Sequence, residues 1–203
     1  AAAVTLSGDS SSERLGASVA GGGDVNGDGN DDVVVGAPYY SPPDGPVSAG
    51  RVYLYLGATS GPSDVPTTTL LATEELTARA YFGSQVSSAG DVNRDGYDDV
   101  VVLADGEVYV FQGSVSGVSS TASTALLSVG DVDPRACGGA GDVNGDGYAD
   151  ILTGAIDLEN SEGLVTVHHG YADGGLDDVD GDGYAAIDDC DDAGNAVALA
   201  EVV

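Results

Sequence analysis

Residues 91–99 read Asp-Val-Asn-Arg-Asp-Gly-Tyr-Asp-Asp, and this sequence recurs in nearly the same form at residues 24–32 and 142–150. A short apolar run follows each copy, at residues 33–35, 100–103 and 151–152. Self-similarity of this kind is typical of repeat architectures, in which each repeat is one small supersecondary unit. The sequence therefore predicts three related units.

Each unit contains about four segments with strand-like residues. One lies before the loop, one directly after it, and two more follow. They are residues 15–19, 33–35, 51–56 and 68–71 in the first unit, 82–86, 100–103, 107–111 and 124–127 in the second, and 151–152 and 164–168 in the third. Runs such as 100–103 are apolar on both faces, which predicts strands that are covered on both sides.

Face-to-face stacking of small sheets satisfies this pattern, as in a β-propeller. We expect an all-β protein with about three four-stranded blades, in a ring that is incomplete or closed by self-association. Residues 4–6 are interpreted as the last strand of a preceding unit, and only residues 193–203 are compatible with a helix. Residues 1–171 would form the propeller segment and residues 172–203 an acidic tail.

The repeated loop has the ligand pattern of a calcium site. Side-chain oxygen atoms fall at positions 1, 3, 5 and 9, a backbone carbonyl falls at position 7, and glycine at position 6 permits a sharp turn. Mg²⁺ retains more water, and zinc prefers cysteine and histidine. The predicted ligands are Asp24, Asn26, Asp28, Asn30 and Asp32; Asp91, Asn93, Asp95, Tyr97 and Asp99; and Asp142, Asn144, Asp146, Tyr148 and Asp150. Alternatively, the Asp-Gly and Asn-Gly pairs serve only as turns.

A fourth, altered copy begins at Asp178 in the tail. Ala186 stands at its position 9, but an aspartate occupies position 12, as in an EF-hand loop. We expect calcium binding there by a different geometry, through Asp178, Asp180, Asp182, Tyr184 and Asp189. The alternative is an acidic tail that becomes ordered only at high calcium concentration.

The composition agrees with a cation-binding protein. The 203 residues include 34 acidic and 5 basic side chains, for a formal net charge of −29. A nucleic-acid partner is not expected for such a chain. The grouping of the carboxylates favours divalent cations over an acidic surface adapted to high salt. No apolar run reaches the ~20 residues of a membrane span, and Cys137 and Cys190 allow, but do not establish, one disulfide.

Several short motifs resemble the FG-GAP repeats of integrin α-subunit propellers. Phe82-Gly83 and, more loosely, Leu15-Gly16 match the first half of the repeat, and Gly36-Ala37-Pro38 matches the second. The resemblance spans residues 4–171, with a calcium loop between the two halves. The later copies depart from the pattern. The second copy has Leu103-Ala104-Asp105 and the third has Gly154-Ala155-Ile156 in place of Gly-Ala-Pro, and the third copy has Ala136-Cys137-Gly138 in place of Phe-Gly.

The resemblance implies a non-enzymatic, calcium-binding adhesion or protein-interaction module, secreted or at the cell surface, with a protein or cell-surface ligand. The tail resembles metal-binding motifs of secreted bacterial surface proteins, which favours a bacterial origin. The alternatives are an accessory domain of a secreted hydrolase and a propeller segment that assembles into homo-oligomers. No nucleophile elbow or phosphate loop occurs, and His168 and His169, adjacent on a strand, would face opposite sides.

Overall fold

The computed structural model describes residues 4–170, with breaks at 9, 11, 72–78, 121, 123, 127–133 and 157–162, and all structural statements concern those residues. They form eleven strands and no helix. The strands are β1 (Ser18–Gly23), β2 (Asp32–Ala37), β3 (Arg51–Tyr55), β4 (Thr68–Leu71), β5 (Gln85–Gly90), β6 (Asp99–Ala104), β7 (Glu107–Phe111), β8 (Thr124–Leu126), β9 (Pro134–Gly141), β10 (Asp150–Ile156) and β11 (Gly163–His168). The expectation of an all-β chain is confirmed.

The strands form three antiparallel sheets, each built in chain order. The first blade is β1–β4, the second is β5–β8, and the third is β9–β11. The registers repeat from blade to blade, since Val19 pairs with Val35 in the first and Val86 pairs with Val102 in the second. The predicted arrangement of incomplete propeller blades is therefore confirmed, with three strands in the described part of the third blade.

The three blades stack face to face, and their first strands β1, β5 and β9 lie side by side. Alternate residues of β6 lie in the interfaces with the first blade and with the third blade. Val100 and Val102 pack toward the first blade, whereas Val101 and Leu103 pack toward the third. Both faces of β6 are buried, which explains why its sequence is apolar without alternation.

The Phe-Gly and Gly-Ala-Pro motifs meet at the junction between the first two blades. Phe82 is fully buried, with edge-to-face contacts to Tyr109 and Phe111 at centroid distances of 6.2 and 5.8 Å. A Cβ at Gly36 would lie 2.1 Å from the carbonyl oxygen of Gly83. Only glycine permits this approach, so the two halves of the motif belong to neighbouring blades.

The first strand begins later than predicted in the first and second blades. Strands were expected at residues 15–19 and 82–86, but β1 and β5 continue through the glycine-rich residues up to the loop. Small residues are needed there because neighbouring blades approach closely; a Cβ at Gly139, for example, would lie 2.7 Å from the carbonyl oxygen of Ser88. The registers also align Cys137 with Val86, so Ala136-Cys137-Gly138 lies on β9 and not at the Phe-Gly position.

The expectation that residues 4–6 form a strand is wrong, because they have no strand pairing. Leu6 and Leu15 instead pack against the outer face of the first blade, next to Val35, Tyr53 and Tyr55. The apolar side chains that suggested a strand therefore serve as a cover for that face. The predicted tail, 172–203, and its possible helix lie outside the described residues.

Candidate metal centres

The three repeated loops lie at the same end of the stacked blades. Each connects the first strand of a blade to the second: residues 24–31 link β1 to β2, residues 91–98 link β5 to β6, and residues 142–149 link β9 to β10. Position 9 of every loop is the first residue of the second strand. The antiparallel pairing of the first two strands therefore holds both ends of each loop close together.

Within each loop, side-chain oxygen atoms gather around the backbone of positions 5 to 7. In the second loop the N–H of Asp95 donates to Oδ1 of Asp91 and to Oδ1 of Asn93, both at 3.0 Å. The N–H of Gly96 donates to Oδ2 of Asp91, and that of Tyr97 to Oδ1 of Asp95. The corresponding bonds recur in the first loop and the third. The oxygen atoms of positions 1, 3 and 5 are thus placed together in all three copies.

The glycine at position 6 has the left-handed conformation that the calcium pattern predicts. Its φ is 88° at Gly29, 92° at Gly96 and 94° at Gly147. Residues with a Cβ rarely adopt this conformation. The backbone requirement that suggested a tight loop around an ion is therefore met.

The aspartate at position 9 joins two parts of its blade. The buried side chain of Asp99 accepts the N–H of Val92 through Oδ2, at 2.9 Å, and the N–H of Gly113 through Oδ1, at 2.8 Å. Gly113 follows β7, so this carboxylate ties the start of the loop to the end of the third strand. Asp32 and Asp150 make the equivalent pairs of bonds, with Val25 and Gly57 and with Val143 and Gly170.

Burial makes these carboxylates sensitive to a nearby positive charge. Desolvation raises the pKa of Asp99 to about 7, against the lowering effect of its two N–H donors. Desolvation also raises the pKa of Asp32. A buried carboxylate that stays ionised requires a compensating charge, and a bound cation at the loop would supply one.

Neighbouring loops are also bonded to each other. The N–H of Asp24 donates to Oδ2 of Asp98 at 2.8 Å, and the N–H of Asp98 donates to the carbonyl oxygen of Asp24. Between the second and third loops only the backbone bond remains, from the N–H of Ala149 to the carbonyl oxygen of Asp91. The three loops therefore form a connected row. The repeat pattern does not indicate this role of position 8, because the residue there varies between aspartate and alanine.

The third loop is more exposed than the other two. Its position-2 valine, Val143, is 55% exposed, whereas Val25 and Val92 are fully buried. The next blade covers those two: the N–H of Ser114, for example, donates to the carbonyl oxygen of Val25. The described part of the chain contains no blade that would cover Val143 in the same way.

The donor chemistry of the loops fits a hard cation. Among the described residues, no three aspartate, glutamate, histidine or cysteine side chains converge as a group. Each loop instead combines two aspartates, one asparagine and one peptide carbonyl with the buried aspartate of position 9. Oxygen donors alone, in a loop with a glycine turn, suit Ca²⁺ better than zinc. The fourth predicted site, residues 178–189, lies outside the described residues.

The two histidines have separate partners. Nε2 of His168 is 3.0 Å from Oγ1 of Thr153, within the third blade. Nδ1 of His169 is 3.2 Å from Oδ1 of Asp150 and 3.3 Å from Nδ2 of Asn144. His169 therefore belongs to the surroundings of the third loop, although nothing in the repeat pattern indicated it.

The blades and their loops define a repeat protein, and comparison with known families shows which repeats it is similar to. Residues 15–55 match the FG-GAP repeat, and residues 91–153 match the FG-GAP-like repeat. The chain is 41% identical to integrin alpha-IIb of Mus musculus over 146 residues, which cover 65% of this chain and 14% of that protein. These similarities support an integrin-like FG-GAP domain.

Other relatives are similar over the same share of the chain. Integrin alpha-6 of Homo sapiens is 31% identical over 66% of this chain and 12% of its own length. Integrin alpha-PS2 of Drosophila melanogaster is 36% identical over 65% of this chain and 11% of its own length. The chain thus spans a small part of the curated relatives that it matches. No helix in the described part of the chain is long and apolar enough to cross a membrane.

Proposed function

We propose that this chain is a calcium-binding adhesion or protein-interaction module that works outside the cell, and that its calcium ions are structural. The observation that carries the proposal is the threefold recurrence of one arrangement: grouped oxygen atoms at positions 1, 3 and 5 beside a buried aspartate at position 9. The FG-GAP repeats and the integrin relatives support an interaction role. A bacterial origin and calcium binding in the tail remain predictions.

In this proposal each loop holds one Ca²⁺ ion through its own residues. The ligands are the side chains of positions 1, 3, 5 and 9 and the carbonyl of position 7. The ion would offset the charge of the buried carboxylate and the mutual repulsion of the loop aspartates. It would also join the two strands that flank the loop, because its ligands come from both ends of that loop.

Calcium content and thermal stability test the metal half of the proposal. An ion that binds only the native state adds about 2.7 kcal/mol when its concentration is 100 times Kd. We expect a higher Tm in calcium than in EGTA, and loss of one bound ion in Asp95→Ala. Asp64→Ala, which removes an exposed aspartate outside the loops, is the matched control and should bind as many ions as the wild type. An unchanged Tm in EGTA contradicts the proposal.

The interaction half needs a separate measurement. Immobilised protein should retain surface-labelled extracellular proteins in calcium and release them in EGTA, with Asp95→Ala retaining less than Asp64→Ala. Hydrolysis of ester or phosphate substrates by the purified chain, with no such retention, would instead favour the accessory domain of a hydrolase.

A second candidate function is self-assembly, which the third blade favours. Its outer face exposes Val165, 70% accessible, beside Val167 and the paired Leu152. A further blade, from a second copy of this chain, would cover that face as the third blade covers the second. Light scattering at several protein concentrations in calcium tests this, and a strict monomer contradicts it.

A further inference from the structure

An open cavity of about 760 Å³ lies at the end of the blades opposite the loops. Residues 14 and 17 before β1, residues 38 and 39 after β2, the turn between β6 and β7, and the start of β9 contribute to its wall. All three blades therefore share it. Its volume is within the ~300–1,000 Å³ that is usual for small-ligand sites.

This cavity concentrates the few positive charges of the chain. Among the described residues that line it, three of the five basic residues of the chain, Arg14, Arg79 and Arg135, accompany one acidic residue, Asp105. The chain as a whole carries 34 acidic residues. Such a local excess of arginine stands out against a protein surface that is otherwise strongly negative.

Of the five arginines, Arg51 is buried, whereas Arg94 and the three that line the cavity are exposed. Arg51 forms a buried ion pair with Glu13 at 2.7 Å, and Arg94 lies 5.8 Å from the ring centroid of Tyr148. Among the described residues, none of Arg14, Arg79 and Arg135 takes part in an ion pair. Their guanidinium groups are therefore available to a ligand.

Aromatic rings form one wall of the same cavity. The Arg14 guanidinium stacks 4.1 Å from the ring centroid of Tyr39, and Tyr39 contacts Tyr81 edge to face at 5.4 Å. Stacking on a ring restricts a guanidinium and leaves its N–H groups directed sideways. The wall thus offers a fixed positive group next to a flat apolar surface.

The backbone around the cavity is held in an uncommon conformation. Six non-glycine residues in the described part of the chain have positive φ, and four of them line the cavity: Arg14, Arg79, Tyr81 and Asp105, with φ of 55°, 70°, 51° and 48°. Backbone hydrogen bonds maintain this conformation: the N–H of Arg79 donates to the carbonyl oxygen of Val47, and the N–H of Tyr81 donates to the carbonyl oxygen of Ser48. Residues held in this conformation store backbone strain and often cluster at functional sites.

We propose that this cavity binds a short acidic segment of a protein partner. Guanidinium groups pair with carboxylates through two parallel hydrogen bonds, the tyrosine rings would cover an apolar or aromatic side chain of the segment, and Asp105 would accept its backbone N–H groups. A long polyanion such as a sulfated glycan fits less well, because the negative surface beyond the cavity repels it. The site is distinct from the calcium loops and adds a partner chemistry to the interaction role.

Tryptophan fluorescence gives a selective test, because this chain contains no tryptophan. The probe is the capped peptide Glu-Trp-Glu, and the neutral control is Gln-Trp-Gln, both titrated with protein in saturating calcium. We expect the acidic peptide to bind at least about tenfold more tightly, as charge-assisted hydrogen bonds are lost in the control. Equal affinities, or no saturable change up to about 1 mM protein, would overturn the proposal.

Arginine variants locate the binding. Arg79→Asn removes the charge and introduces a residue that tolerates positive φ. Arg135→Gln removes the charge of a residue on β9. Each should weaken Glu-Trp-Glu about tenfold, whereas Arg94→Gln, at the loop end of the blades, should leave its binding within about twofold. If Arg79→Asn and Arg135→Gln bind like the wild type, the peptide is elsewhere and the assignment is wrong.

Two further measurements separate the possible failures. A heparin hexasaccharide that binds more tightly than the peptide, and loses binding in Arg79→Asn, would replace the acidic segment by a sulfated glycan. Calcium affinity and circular dichroism are recorded on the same variants. Because the loops lie at the other end of the blades, normal calcium binding with no peptide binding refutes this inference and leaves the proposed calcium role standing.

Discussion

The two junctions between blades follow one plan but use different residues. At the first, Phe82, Tyr109 and Phe111 form an aromatic cluster against the apolar face of β2 and β3. At the second, smaller side chains pack together, with Cys137 and Ile151 of the third blade facing the valines of β6 and β7. The first junction also has the Asp98 side-chain bond, which Ala149 cannot provide at the second.

The difference indicates how stability is distributed along the array. Burial of large aromatic side chains contributes more free energy than burial of cysteine or alanine. The first two blades should therefore form the more stable unit. The third blade has an exposed loop and an exposed outer face. Its stability should depend more on cation binding at that loop and on a partner that covers that face.

The largest loss of stability is expected from Phe82→Ala, at the first junction. Removing a fully buried phenylalanine costs roughly 3–5 kcal/mol, and we expect a loss of that size in urea unfolding in calcium. Cys137→Ala is the matched change at the second junction, and it should cost about 1 kcal/mol. Equal losses for the two variants would show that the junctions do not differ as their packing indicates.

The position-9 aspartate should stabilise the blade even without metal. In EGTA, Asp99→Asn turns one of the two accepting oxygens into an N–H₂ group that faces a backbone donor, and we expect a loss of about 2 kcal/mol. Asp95→Ala, an exposed position-5 change, should cost no more than about 0.5 kcal/mol under the same conditions. Thermal unfolding in EGTA measures both, and similar losses would mean that position 9 has no role of its own.

The bond between the first two loops offers a smaller test. Asp98→Ala leaves the N–H of Asp24 without its side-chain acceptor, which should cost about 1 kcal/mol. Amide hydrogen exchange at Asp24 should be faster than in the wild type. Exchange at Asp91 should be unchanged, because position 8 of the third loop is Ala149, which has no carboxylate to accept the Asp91 N–H. No change at Asp24 would show that water replaces the carboxylate without loss.

The smallest effect is expected from restoring the missing bond. Ala149→Asp places a carboxylate at position 8 of the third loop, where it can accept the N–H of Asp91 as Asp98 accepts that of Asp24. We expect a gain of about 0.5 kcal/mol, visible as slower amide exchange in β9 and β10. Faster exchange there would indicate that repulsion from the neighbouring carboxylates outweighs the bond.

Much of the fold was predictable because its determinants are local. The glycine at position 6, the run of valines in β6 and the Phe-Gly pair each carry a backbone or packing requirement that can be read from a few residues. The sequence predicts too early a start for β1, because glycine-rich segments have little intrinsic preference for strand structure. Only the close approach of the neighbouring blade explains why Gly139 lies in a strand.

The repeat, the all-β class and the set of oxygen donors in each loop can be predicted without a structure, because they depend on residue type and spacing along the chain. The tertiary structure alone decided which residues from distant segments meet. It placed Gly83 against Gly36, Asp98 against Asp24, and three arginines around one cavity. Such contacts depend on how the blades stack, and spacing within a single repeat carries no information about that stacking.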